Sequence, residues 1–297
     1  FGYEEVARQV KAMGTLRNAT ACAAAIVLLP LSATEERTTL GLLLERGQVA
    51  LTPTGLGGHS GESLQVKVLN KSARALRTSI PVGCVTESPP PEGRGQVALL
   101  GEFVDLPGGA TRTVTCRAFC CESSGTGPEQ GEAYRTGHQA GKKLTEAAMA
   151  IAHGDFPDAL AQSAIWVLSN AHDIASMGAL DSSAADTLRY AVSRISGQPA
   201  PLHTLRYADD PERVCSGRPA SISRTMHLSV GVSTILNAVV LDRSGKVVAV
   251  LHDHTVLDPG AHKVPLDVQV LDWPTGSYGI HAWTSDRAGV HRMPFTL

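Results

Sequence analysis

The hydrophobic period of this chain switches twice, and that alternation restricts the possible folds more than any other feature. From Arg46 to Cys116 short β-prone runs alternate with turn residues: QVALTP, GLGGHSGES, LQVKVLN, KSARALRTSIPVG, QVALLGEFVDL and PGGATRTVTC. Apolar residues fall on every second position at Leu64, Val66 and Val68, with Asn70-Lys71 and Pro107-Gly108-Gly109 as turn punctuation. Because a strand sends successive side chains to opposite faces, this stretch predicts an antiparallel sandwich of about five or six strands. Glu87 to Gly95 (ESPPPEGRG) reads as a polyproline-like surface loop, and Gly58 to Glu62 (GHSGE) as a hairpin turn.

After Cys121 the period becomes 3.6. Gly125 to Gly141 reads as a Gly-rich polar connection. It is followed by a helix from Lys142 to Ala152 ending at Gly154, where a C-terminal glycine cap is expected. Asp155 and Pro157 open a second helix, Asp158 to Leu168. Asp181-Ser182 cap a third, whose stripe is Ala184, Leu188, Ala191/Val192 and Ile195 and whose end is Gly197. Gln198 to Gly217 is an irregular, Pro-containing stretch, and from Arg218 the strand-and-turn rhythm returns. The fold class expected is therefore mainly β with a helical insert: an N-terminal β-sandwich plus a three-helix segment, then a C-terminal immunoglobulin-like β-sandwich. The divisions expected are a leader at 1–33, the first module at 34–200, a linker at 201–217 and the second module at 218–297.

Charge narrows the partners. The 28 acidic and 26 basic residues nearly cancel, so the chain as a whole has no electrostatic footprint for nucleic acid or an anionic membrane. The longest uncharged apolar run, Ala19 to Ala33 (ATACAAAIVLLPLSA), follows Arg17 and ends in Leu-Ser-Ala, the three parts of a secretory signal peptide starting at Met13. It is too short to span a bilayer, so no membrane span is expected once the leader is removed. Export also gives the six cysteines meaning: Cys22 leaves with the leader, and Cys84, Cys116, Cys120, Cys121 and Cys215 remain, an odd number in a compartment where thiols usually pair.

The middle of the chain carries a resemblance. Phe119-Cys120-Cys121-Glu122, the Lys142-Lys143-Leu144 helix, Gly154-Asp155-Phe156-Pro157 and Ala161-Gln162-Ser163-Ala164-Ile165-Trp166 together resemble the thioester domain of bacterial surface adhesins over about residues 116–170. That resemblance implies an internal thioester between the sulfur of Cys120 and the side-chain carbonyl carbon of Gln162. Cys121 stands at the family's apolar position and is an alternative thiol, and Ala161 replaces a Thr. Further on, LDRSGKVVAVL, DPGAHKV and PTGSYGIHAWTSDRAG are similar to the immunoglobulin-like domain of flagellar hook-capping proteins, over about residues 222–297. Such domains hold or space other proteins.

A thioester lacks the resonance of an amide, so a shielded Cys–Gln bond is a stored electrophile that a partner's lysine amine can open, leaving a permanent amide. Five histidines gather late in the chain, and His252 and His254 have strand spacing, yet no ligand set for a metal emerges. No cofactor and no metal are expected. The Gly58 to Glu62 stretch lacks the last glycine of a nucleophile elbow, and the chain is not expected to be an enzyme. Two function classes follow. One is a secreted or cell-surface adhesion protein, with a protein or surface ligand and attachment through the thioester. The other is a non-reactive extracellular scaffold with disulfides and an immunoglobulin-like docking domain.

Overall fold

The computed structural model describes residues 39–88, 95–98, 103–178, 183–285 and 290–297. The leader-like run, Cys22, most of the ESPPPEGRG loop and the Asp181-Ser182 cap lie outside the described residues. The described chain is mainly β, with several antiparallel sheets and few helices.

Period-2 patterning in the first module produces strands as expected. In β2 (Leu64–Asn70), Leu64, Val66, Val68 and Asn70 point inward while the residues between them stay wetter. The buried Asn70 is tolerated because its Nδ2 donates to the carbonyls of Arg74, Leu106 and Pro107. β2 pairs with β1 (Val49–Leu56) and with β7 (Thr111–Cys116), and β9 (Gln130–Ala133) completes a sheet of order β7-β2-β1-β9. The facing sheet has the order β10-β4-β5-β8, from Arg135–Gln139, Cys84–Glu87, Gly95–Ala98 and Ala118–Cys120. A short ribbon joins β3 (Leu76–Ser79) to β6 (Phe103–Leu106). Among the described residues, the stretch from Arg46 to Cys116 therefore holds seven strands where about five or six were expected. The Gly-rich stretch 125–141, read as a connection, contains β9 and β10. Gln130, Gly131 and Glu132 show no apolar alternation, because backbone pairing at the sheet edges rather than burial orders them.

The second sheet is covered on both faces, and this layering positions everything that follows. Cys84, Ala98 and Ala118 face the first sheet and pack with Leu64, Val66 and Cys116. Their neighbours Val85, Val97 and Phe119 face the other way, against the helices. Those helices follow α1 (Leu40–Glu45) in chain order: α2 (Lys142–His153), α3 (Asp158–Ser169) and α4 (Ser183–Ser196). α3 is the central one. DALAQSAIWVLS is apolar almost all round, as a helix enclosed by its neighbours must be, and seven of its residues are buried. The α4 stripe turns slightly from the one expected, burying Ala185, Leu188, Arg189 and Val192. Gly154 does follow α2 but is not a left-handed cap. Its backbone is extended (φ −108°, ψ 150°), and glycine serves there because a side chain would run into the Phe156 ring.

The C-terminal module is a sandwich of order β11-β12-β15 against β14-β13-β16-β17. Its strands are Thr204–Tyr207, Pro219–Val230, Thr234–Asp242, Val247–Leu257, Gly260–Gln269, Ser277–Thr284 and Val290–Thr296. β15 crosses to the three-stranded sheet and pairs with β12 along its whole length, the Greek-key connection of immunoglobulin-like sandwiches. Residues 201–217 are not simply a linker: Thr204–Tyr207 pairs with β12 as an edge strand, and Leu205 is buried in this core. Ala175, from the 3-10 turn Ile174–Ser176 after α3, is buried in the same cluster, so the core is continuous with the helical layer.

Candidate functional site

The site is built at the free edge of β8. Arg117, just before that strand, donates through Nε to Asp158 Oδ1 at 2.7 Å and through its other arm to the Phe156 carbonyl, pinning the start of α3 beside the strand. One helical turn later, Gln162 emerges on the face that meets β8, because residues four apart lie above one another on a helix. Its side chain is 1% exposed. Gln162 Nε2 donates to the Cys120 carbonyl at 2.8 Å, and the Cys120 N–H donates to Gln162 Oε1 at 3.0 Å. The amide thus behaves as one extra residue of strand added to β8. The same N–H is shared with the His59 carbonyl at 2.9 Å, and the Ala118 N–H donates to the Gly61 carbonyl at 2.7 Å. The loop between β1 and β2 therefore closes the rest of that edge.

The three residues singled out from sequence separate at this point. Cys120 and Gln162 are brought together, with both bonds of the amide ending on the Cys120 backbone. Cys120 itself is fully buried, and its Sγ donates to the Glu122 carbonyl at 3.1 Å. Cys121 points elsewhere, into a groove lined by Val85, Glu87, His138, Gly141 and Leu144 at the start of α2. Burial, then the neighbouring Cys120, pushes its thiol up to about 12, so it stays protonated at neutral pH. Cys116 is pushed up to about 12 as well, by burial and then by Cys84. None of the five described cysteines is joined in a disulfide, and no two stand at disulfide distance. The pairing expected from export is absent among them because Cys84, Cys116 and Cys120 are placed by strand register as small core residues, without the Cβ approach a bridge requires.

Beyond the edge lies a group of rings that sequence reasoning did not assemble. Trp166, one turn after Gln162, stacks on His59 with ring centroids 5.7 Å apart, and His172 lies at the same distance from it, tilted by 47°. His172 Nε2 is 3.0 Å from Ser123 Oγ, and its ring meets Tyr207 of β11 edge-on. Burial lowers both histidines below their ordinary value, leaving them neutral at physiological pH. The segment after Cys121 is held by the 201–217 stretch too: the Val214 N–H donates to the Gly125 carbonyl and the Cys215 N–H to the Ser123 carbonyl, each at 3.0 Å. Of these residues, only Trp166 carried a sequence signal. His59, Ser123, His172 and Tyr207 come from four separate segments and are joined only by folding.

Among the described residues no group of His, Cys, Asp or Glu is arranged to hold a metal. His252, one of the two strand-spaced histidines, uses Nε2 on the Pro265 carbonyl. No described helix is long and apolar enough to cross a membrane. Chemically, the site offers a shielded thiol, an amide carbonyl polarised by a backbone N–H, and two neutral imidazoles against Trp166, one helical turn along α3. The chain matches no protein-family model and no curated protein.

Proposed function

We propose that Cys120 and Gln162 join as an internal thioester, and that the chain is a secreted or cell-surface attachment protein that uses this bond to link covalently to a lysine amine on a partner protein or surface. The observation that carries this reading is the clamp of the Gln162 amide on the backbone of Cys120. Acyl transfer needs a carbonyl held next to its nucleophile and a donor aimed at the oxygen that becomes negative. The Cys120 N–H already donates to that oxygen. As Sγ closes on the Gln162 side-chain carbon, the carbon–Nε2 bond breaks and the thiol proton leaves on ammonia. An incoming amine then attacks the same carbon, releases the thiol and leaves an amide. The neutral His59 and His172 can accept the proton that the amine sheds. An immunoglobulin-like module suits presentation of such a site away from a surface, and the leader-like run suits export.

Intact mass tests the proposal. The native protein should be about 17 Da lighter than its sequence mass, whereas a disulfide would remove only about 2 Da. Incubation with methylamine should raise the mass and place a methylamide on the Gln162 peptide. Full sequence mass with no response to methylamine would leave a passive scaffold.

A further inference from the structure

Sheet register places one more side chain against the reacting sulfur. In the pairing of β5 with β8, Gln96 stands directly opposite Cys120, Val97 opposite Phe119 and Ala98 opposite Ala118. Opposed residues share a face of the sheet. Val97 and Phe119 face the helices, and Ala98 and Ala118 face the sandwich interior. By alternation Gln96 and Cys120 therefore both project into the interior. Thr86 of β4 stands opposite Gln96 on the other side, so Thr86, Gln96 and Cys120 form a row across three strands.

That row is anomalous in an apolar interior. Gln96 is 0% exposed, and neither Oε1 nor Nε2 has a hydrogen-bond partner among the described residues; Thr86 Oγ1 has none either. A buried carboxamide with no partner costs stability that Leu at the same position would not. Its unmade bonds lie one strand spacing from the sulfur that must lose its proton. In the resting site the protonated thiol donates a hydrogen bond to the Glu122 carbonyl. A sulfur carrying negative charge needs a donor, and of the two uncommitted donors in the row Gln96 Nε2 is the one on the adjacent strand.

We propose that Gln96 donates a hydrogen bond to the Cys120 sulfur as it loses its proton and closes on Gln162, and so sets the rate at which the thioester forms. This rests on the Cys120–Gln162 bond proposed above. Gln96 forms no covalent bond: Sγ–carbon forms, carbon–Nε2 breaks, and ammonia leaves with the thiol proton. An interaction made in the transition state and withheld in the resting state accelerates the step. The titratable groups nearest the sulfur are Cys84 and Cys116 on the same interior face, Cys121 and Glu122 along the chain, His59 on the loop bonded to its edge, and His172 behind Ser123.

The test is time-resolved intact mass during refolding of the reduced full chain, at several pH values, for wild type, Gln96→Leu and Thr86→Val. Both substitutions remove orphaned polar atoms from one row, so both should melt no lower than wild type. Gln96→Leu should slow the loss of ammonia by about tenfold or more and move its pH profile upward, since each unit of thiol pKa is a factor of ten in thiolate. Thr86→Val, whose hydroxyl stands one strand beyond the sulfur's neighbour, should lose ammonia at the wild-type rate. Equal rates for wild type and Gln96→Leu overturn the proposal, as does an equal slowing in both variants, which would mark a packing effect. If wild type itself never loses ammonia, the thioester reading fails first and this inference with it.

Discussion

Replacing Cys120 by alanine separates a covalent site from a hydrogen-bonded one, because the clamp on Gln162 does not use the sulfur. Both amide bonds end on the backbone of residue 120, so they survive the substitution. Without a covalent bond, Cys120→Ala removes one small buried group and its contact with the Glu122 carbonyl, a cost of about 1 kcal/mol. With the bond, it also opens a closed loop between residues 42 apart. Chain entropy for a loop of that size is worth about 4 kcal/mol; the Nε2 bond to the Cys120 carbonyl, lost with ammonia in the thioester, forms again in the variant and returns about 1 kcal/mol, for a total loss of about 4 kcal/mol. Equilibrium urea unfolding near neutral pH reads the difference, with mass checked before and after. Gln162→Ala and the double variant complete a cycle. A covalent bond predicts a coupling of about 3 kcal/mol, since either change alone destroys it, whereas a purely hydrogen-bonded clamp predicts additivity within about 0.5 kcal/mol. A loss near 1 kcal/mol together with additive effects would refute the covalent link.

Two further outcomes follow from the same geometry. Cys116 and Cys121 keep their protons up to about pH 12 in the folded chain, while an unfolded thiol ionises near its ordinary 9.0. Between those values the folded state holds more protons, so stability falls as pH rises, by about 1.4 kcal/mol per pH unit for each free thiol. Urea midpoints from pH 8 to pH 11 should decline less steeply in Cys116→Ala, and an unchanged slope would contradict the burial assigned to that thiol. Gly61 has φ +79°, and a Cβ there would lie 2.5 Å from Asp158 Oδ2. Gly61→Ala should therefore cost about 1–3 kcal/mol in urea and, by disturbing the Arg117–Asp158 clamp, slow ammonia loss. Wild-type values of both would show that the clamp does not position α3.

The candidate site was legible in part. Cys120 and Gln162 stand out in the sequence because FCCE and AQSAIW are compact motifs, but the choice between Cys120 and Cys121 needed strand alternation, which sends one thiol to each face of β8. His59 could have been suspected only as a polar residue in a hairpin turn, and its role depends on that turn closing a strand edge across the module. Gln96 gave no signal. Glutamine in a strand is ordinarily a solvated residue, and only the packing of the first sheet against the second buries it.

What the residues along the chain determined by themselves was the kind of local structure: alternation in Leu64–Asn70 is a property of neighbours, and so is the apolar girth of Asp158–Ser169. Turn residues marked where one run ended and the next began, since backbone dihedral preferences are local too. Which edges met was decided only in three dimensions. The pairing of Gln130–Ala133 and Thr204–Tyr207 into sheets, the reach of Gln162 to Cys120 and the row Thr86–Gln96–Cys120 all depend on register and on layers stacking. Those are settled by the burial of the whole core, whose free energy no single segment carries.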